Sequence, residues 1–137
     1  MVENEGGGIF SPDEMDDNCI ILDANSLLAP FQNSFNLDSE LVRVLPNVSP
    51  VVPTSVLREL ERLKGKGDWR IKAALDLSAK YPKVDIKGKG DAPIFNLAVK
   101  KGWPVMTQDK RLRLKLLGRG IPVVVIKDRG QLFLMEP

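Results

Sequence analysis

A chain of 137 residues, 43% of them hydrophobic, supports one compact domain with a real core, and no apolar run approaches the ~20 residues of a membrane-spanning helix. With no histidine and a single cysteine, the composition excludes Ser-His-Asp and Cys-His catalysis, imidazole metal sites, thiolate zinc cages and an internal disulfide. The net charge of +2 hides an asymmetry: residues 1–18 hold six acids and no base, leaving 20 bases against 12 acids in the remainder, a net of +8 that suits a polyanionic partner and plain solubility equally well.

The first 18 residues carry one sign of charge, three consecutive glycines and little hydrophobicity, which predicts a disordered acidic tail ahead of a single domain over 19–137. The tail lacks the basic-then-apolar plan of a secretory signal, so the expected location is cytoplasmic. Cys19-Ile-Ile-Leu22 reads as a short buried central strand with a structural thiol. It stops at Asp23-Ala-Asn25-Ser26, where Asn or Ser can cap a helix through Leu27, Leu28 and Phe31. Asp38 or Ser39 offers a cap for a second helix through Leu41, Val42 and Leu45. Pro50–Pro53 is a second short strand, and Thr54 and Ser55 offer caps for a helix running to Lys64. Gly65-Lys-Gly67 breaks that helix, and Asp68 starts another carrying Ile71, Ala74, Leu75 and Leu77.

Val84 and Ile86 make a third short strand. After the Gly88-Lys-Gly90 loop, Asp91 and Pro93 open a helix that ends at Gly102. Val105-Met106 is a fourth strand, Asp109 opens a helix that ends by Gly118 and Gly120, and Ile121–Ile126 is a fifth. Asp128-Arg-Gly130 turns into a final strand over Gln131–Leu134. Strands alternating with helices call for a mostly parallel sheet covered on both faces, with any ligand at the carboxyl ends of the strands.

That rule directs attention to four acids. Asp23 follows the first strand directly and Asp109 follows the fourth by three residues. Asp91 begins the helix before the fourth strand, and its spacing to Ile94, Phe95 and Ala98 turns its carboxylate toward the core side. Each has a bland alternative as a helix cap or turn residue. On the helix after the second strand, Glu59 and Glu61 flank the apolar stripe by similar angles, and periodicity does not choose between them. Carboxylates meeting at ~4 Å repel by about 4 kcal/mol per pair at an effective dielectric of ~20, so a cluster persists only by protonation or by holding a cation. Oxygen donors suit Mg²⁺ or Mn²⁺, which support phosphodiester hydrolysis without histidine.

The same residues resemble the PIN-domain family. Ile-Ile-Leu-Asp23-Ala-Asn25 resembles its first motif, Val56-Leu-Arg-Glu59-Leu60 its second, Gly90-Asp91-Ala-Pro-Ile94 its third, and Thr107-Gln-Asp109-Lys110 with Gly120-Ile-Pro-Val-Val its fourth. The resemblance implies a three-layer α/β/α sandwich around a central, mostly parallel five-stranded sheet. It also implies a metal-dependent endoribonuclease in which Asp23, Glu59, Asp91 and Asp109 hold Mg²⁺ or Mn²⁺ and serve catalysis. Asn25 and Thr107 would orient a carboxylate or a metal-bound water. It selects Glu59 over Glu61. Within the family, Glu59-Leu-Glu61-Arg-Leu63 and the basic stretches look most like the endonucleases of small-subunit rRNA processing, with VapC-type toxins next. That branch often pairs two acids at the third motif, whereas Asp91 is followed here by Ala92, which implies weaker metal binding or a single ion.

The expected partner is RNA, an rRNA precursor on the processing reading, with no membrane. A homodimer is in keeping with the family, and an antitoxin would be the partner on the toxin reading. Candidate RNA contacts are Lys64, Lys66, Lys87, Lys89, Lys110 and Arg111, most of them to phosphate. Arg70, Arg113 and Arg119 are further candidates. Trp69 and Trp103 could stack bases or pack in the core or at its rim. A non-catalytic RNA-binding module is the alternative from another class. A nucleotide-binding fold is disfavoured, because neither Lys-Gly stretch has the glycine spacing of a phosphate-cradling loop.

Overall fold

The computed structural model describes residues 8–15 and 18–137. Among them are seven strands: β1 (Ile9–Phe10), β2 (Cys19–Leu22), β3 (Ser49–Pro53), β4 (Lys83–Val84), β5 (Val105–Met106), β6 (Val123–Lys127) and β7 (Gln131–Met135). The six helices are α1 (Ala24–Asn33), α2 (Leu37–Val44), α3 (Thr54–Leu63), α4 (Trp69–Ser78), α5 (Asp91–Lys101) and α6 (Lys110–Gly118). The strands form one sheet in the order β1-β4-β3-β2-β5-β6-β7, parallel throughout except for the β6/β7 hairpin.

Every residue of β2 is buried, because it lies mid-sheet with helices over both faces. From β2 the chain steps outward to β3 and β4, then returns across the sheet to β5 and β6. Since parallel crossovers are right-handed, opposite steps put their helices on opposite faces. Accordingly α1, α3 and α4 pack together, while α5 packs on α6. The architecture is a three-layer α/β/α sandwich. It has seven strands where the resemblance implied five: the final strand expected over Gln131–Leu134 joins β6 as β7, and β1 extends the far edge.

β1 also corrects part of the expected disordered tail. Lys83 N donates to Gly8 O at 2.7 Å and Asp85 N to Phe10 O at 2.8 Å, so residues 8–10 satisfy an otherwise open edge of β4. A single 3-10 turn over Pro12–Glu14 follows, held to α5 where Lys101 Nζ donates to Pro12 O at 2.8 Å. Residues 1–7 and 16–17 of the expected tail lie outside the described residues.

Several boundaries move by a few residues, each for a hydrogen-bonding reason. Asp23 itself caps α1, in place of Asn25 or Ser26, and Asn36 caps α2, in place of Asp38 or Ser39. In both, the side-chain oxygen reaches the backbone N–H three residues on. Pro53 precedes α3, so Thr54 and Ser55 lie within its first turn and do not cap it. β4 stops at Val84 because the Thr54 hydroxyl takes up Ile86 N at 3.0 Å.

Candidate active site

β2 and β5 are neighbours whose connections leave in opposite directions, so the switch in strand order falls between their carboxyl ends. Asp23 is the first residue beyond β2. It is only 9% exposed, and its Oδ1 accepts from Ser26 N at 2.8 Å as the cap of α1. The Ser26 hydroxyl donates to Met106 O at 2.7 Å and so ties the start of α1 to the end of β5.

Thr107 is the residue that joins the two strand ends. Fully buried directly after β5, it hydrogen-bonds the Asp23 carboxylate through its hydroxyl, which also accepts from Asp109 N at 3.1 Å. Asp109 in turn caps α6, its Oδ1 accepting from Leu112 N at 3.1 Å. One hydroxyl thus bridges two acids that lie 86 residues apart in sequence, 23 against 109.

Asp91 arrives from the opposite side. Gly90, just before it, has φ 78° and ψ −155°, a conformation closed to residues with a Cβ, and this aims the first turn of α5 over the sheet edge. The packing of α5 on α6 then brings the Asp91 carboxyl within hydrogen-bonding distance of Asp109. Asp91 is exposed, which corrects the expectation that its carboxylate faces the core. At the first residue of a helix the apolar stripe has already run past the edge of the sheet. Glu59, on α3, interacts electrostatically with Asp23, whereas Glu61 pairs with Lys64 at 3.8 Å.

The acids perturb one another as a crowded set should. Burial above all pushes the Asp23 carboxyl up from the usual aspartate range; the Glu59 charge adds to this, and hydrogen bonds from Thr107 and Ser26 oppose it. Asp91 is pushed up by burial, then by the hydrogen bond and charge of Asp109 and by the charge of Asp23, with Lys115 opposing. Asp109 is held down, first by the Leu112 N–H and also by the N–H and charge of Arg111. Of this pair, Asp91 is therefore the more readily protonated.

The charge interactions run Glu59–Asp23–Asp91–Asp109, a chain and not a closed ring, with a hydrogen bond only in its last link. Among the described residues, no three acids converge closely enough to ligate a single ion directly. The donor set nonetheless fits a hard divalent cation: it is all oxygen, partly buried, and contains a carboxyl pair whose mutual repulsion a cation would relieve.

The remaining expected residues are scattered. Asn25 is exposed and forms no side-chain hydrogen bond among the described residues; the neighbouring Ser26 reaches Asp23 through its backbone N–H and Met106 O through its hydroxyl. Lys89 lines a cleft beside Glu59, and Arg111 lies beside Asp109. Lys110 opens α6, Lys64 and Lys66 follow the far end of α3, and Lys87 faces α5. Trp103 is buried, and Trp69 is 65% exposed with its ring edge-to-face to Phe31. Sequence reasoning missed Ser55, Arg58, Arg62 and Lys115 as neighbours of the acids. The i, i+4, i+7 spacing of Ser55, Glu59 and Arg62 was the available signal for two of them.

A family model described as a PIN like domain matches residues 20–129. Ribonuclease VapC9 of Archaeoglobus fulgidus is 31% identical over 119 residues, covering 84% of this chain and 87% of that protein. Ribonuclease VapC4 of Methanocaldococcus jannaschii is 34% identical over 119 residues, covering 80% and 91%. The solved PIN domain endonuclease Utp24 superposes with a TM-score of 0.75 at 23% identity, over 90% of this chain and 95% of that one, a likeness of fold.

Proposed function

The chain belongs to the PIN-like domain family, and from that membership we propose that it is a metal-dependent endoribonuclease whose Asp23, Glu59, Asp91 and Asp109 hold Mg²⁺ or Mn²⁺. The observation that carries the reading is the electrostatic chain of these four acids across the carboxyl ends of β2 and β5, with Thr107 bridging Asp23 and Asp109. When bound, a divalent ion supplies an activated water and charge stabilisation for the leaving oxygen of a phosphodiester. The chain's own part is positional. Asp23 is held by the Ser26 N–H and the Thr107 hydroxyl, and Asp109 by its cap on α6. The Asp91 carboxyl, raised by burial and by Asp109, would be favoured in its charged form by a cation held beside it, and Lys115 tempers the local negative charge.

Asp23→Asn and Asp109→Asn test the proposal cleanly, because Asn caps helices as well as Asp and the fold is retained. In an RNA-cleavage assay with Mg²⁺ or Mn²⁺, each variant is expected to lose more than the ~10–100-fold typical of outer-shell partners. Undiminished cutting by both would refute the assignment. RNA bound but never cut by the parent protein would point to the non-catalytic module.

The names of the two curated relatives favour a second reading, a VapC-type toxin ribonuclease restrained by an antitoxin. Growth arrest on expression, relieved by a co-expressed partner, supports the toxin role. Accumulation of unprocessed rRNA precursor on depletion supports the processing role.

A further inference from the structure

A cleft of about 630 Å³ opens beside the acids, between α3 and the loop 88–90. Ser55, Arg58, Glu59 and Arg62 form its helical wall, with Ser55, Glu59 and Arg62 on one stripe. Arg58 Nη2 donates to Ile86 O at 2.9 Å and to Gly88 O at 3.1 Å, and with the Thr54–Ile86 bond this fixes the spacing of the two walls. Arg58 is thereby committed to the protein. Arg62 and Lys89 are exposed and form no ion pair among the described residues, so both cations are available.

One further group lacks a partner. Ser55 is 6% exposed, and its hydroxyl is the only buried side-chain nitrogen or oxygen among the described residues without a hydrogen bond. Such a group carries a desolvation cost that nothing in the protein offsets. It lies in the first turn of α3, where the helix dipole favours an anion and no side chain caps the backbone N–H groups. Arg58, Arg62 and Lys89 outnumber the one acid, Glu59, so the cleft is net positive. Its volume falls within the ~300–1,000 Å³ usual for ligand sites.

We propose that this cleft is the subsite for a backbone phosphate of single-stranded RNA adjacent to the phosphate being cut. Arg62 and Lys89 contact the phosphate, the Ser55 hydroxyl donates to it, and Arg58 is the positioning residue that holds the loop wall. The inference rests on the nuclease reading, because Glu59 connects the cleft to Asp23. Lys89 sits between two glycines, which lets its side chain turn toward the phosphate while Arg58 holds Gly88 in place, and Ser55 lines the same cleft.

Fluorescence anisotropy with a labelled single-stranded RNA of about 12 nucleotides, in EDTA so that no strand is cut, provides the test. The Arg62→Ala/Lys89→Ala variant is expected to bind at least about tenfold more weakly at ~100 mM salt, and to flatten the log–log salt slope by about 1.4 for two lost phosphate contacts. An equal charge loss at Lys72→Ala/Lys100→Ala, where both lysines sit in exposed ion pairs, is the control. Ser55→Ala is expected to melt no lower than the parent protein yet bind RNA several-fold more weakly, a combination that a purely structural serine does not give. The proposal is overturned if the double variant behaves like its control, or if Ser55→Ala lowers the melting temperature with RNA binding unchanged. Binding is read without cleavage, so the two readings fail separately. Weakened binding in the variants of a parent that never cuts RNA would sink the nuclease reading and leave the cleft as an RNA-phosphate site with no cleavage beside it.

Discussion

Replacing Thr107 by Val keeps the shape of a fully buried side chain and deletes the one hydroxyl that joins the ends of β2 and β5. The Asp23 carboxylate loses a charge-assisted hydrogen bond worth about 1.5–3 kcal/mol, and the Asp109 N–H loses its acceptor at a further ~1–3 kcal/mol. Burial of an extra methyl returns roughly 0.8 kcal/mol. The net expectation is a destabilisation of about 2–5 kcal/mol. For 137 residues at ~2.1 cal/mol/K of unfolding entropy per residue, that lowers the melting temperature by about 7–17 °C. Thr107→Ser keeps the hydroxyl, loses only a methyl, and is expected to cost about 1 kcal/mol. Urea melts of all three proteins in EDTA give the stabilities, and Mn²⁺-dependent RNA cleavage gives the consequence for the site, an expected loss of about 10–100-fold for Val that Ser largely restores. If Val and Ser are equally mild in both assays, Thr107 does not bridge the two acids and the account of the site's rigidity is wrong.

Two predictions concern the rest of the fold. A Cβ added at Gly130 would sit 2.5 Å from Phe35 Cδ1 at a φ of +88°, so Gly130→Ala is expected to lower stability by at least about 2 kcal/mol; an unchanged melting temperature would contradict the packing of the β6/β7 turn on α2's approach. Asp38 is held below the ordinary aspartate value of 3.8, its burial outweighed by hydrogen bonds from Lys80 at 2.7 Å and Tyr81 at 2.6 Å. A depressed carboxylate contributes stability above the unfolded value and loses it as pH falls through the folded one. Asp38→Asn should therefore be less stable than the parent at pH 7, with the difference closing below pH ~3.8; a pH-independent difference in acid unfolding would refute the sign.

The fold was legible wherever apolar runs were bounded by turn chemistry. Cys19–Leu22, Val105-Met106 and the helix starts at Asp68 and Asp109 follow from local pattern alone, and their order dictates a parallel sheet with its crevice beyond β2 and β5. β1 was not legible, because two apolar residues inside an acidic, glycine-rich stretch form a strand only when β4 offers an unpaired edge. That Asp23 and Asp109 follow neighbouring strand ends could be anticipated from the element order. The bridging hydroxyl of Thr107 and the bonds of Ser26 to two elements are tertiary contacts with no signature in residue spacing. Asp91 illustrates the limit of the helical wheel: the spacing to Ile94 and Ala98 is real, but at the first residue of α5 the core has ended.

Anomalous diffraction from a crystal soaked in Mn²⁺ would test the shared cation site most directly. Density within about 2.1 Å of carboxylate oxygens from both Asp23 and at least one of Asp91 and Asp109 is the result expected, with Glu59 reaching it directly or through water. Manganese bound elsewhere, or three acids left apart with no ion between them at millimolar metal, would contradict the claim that this sheet edge is built to hold a divalent ion.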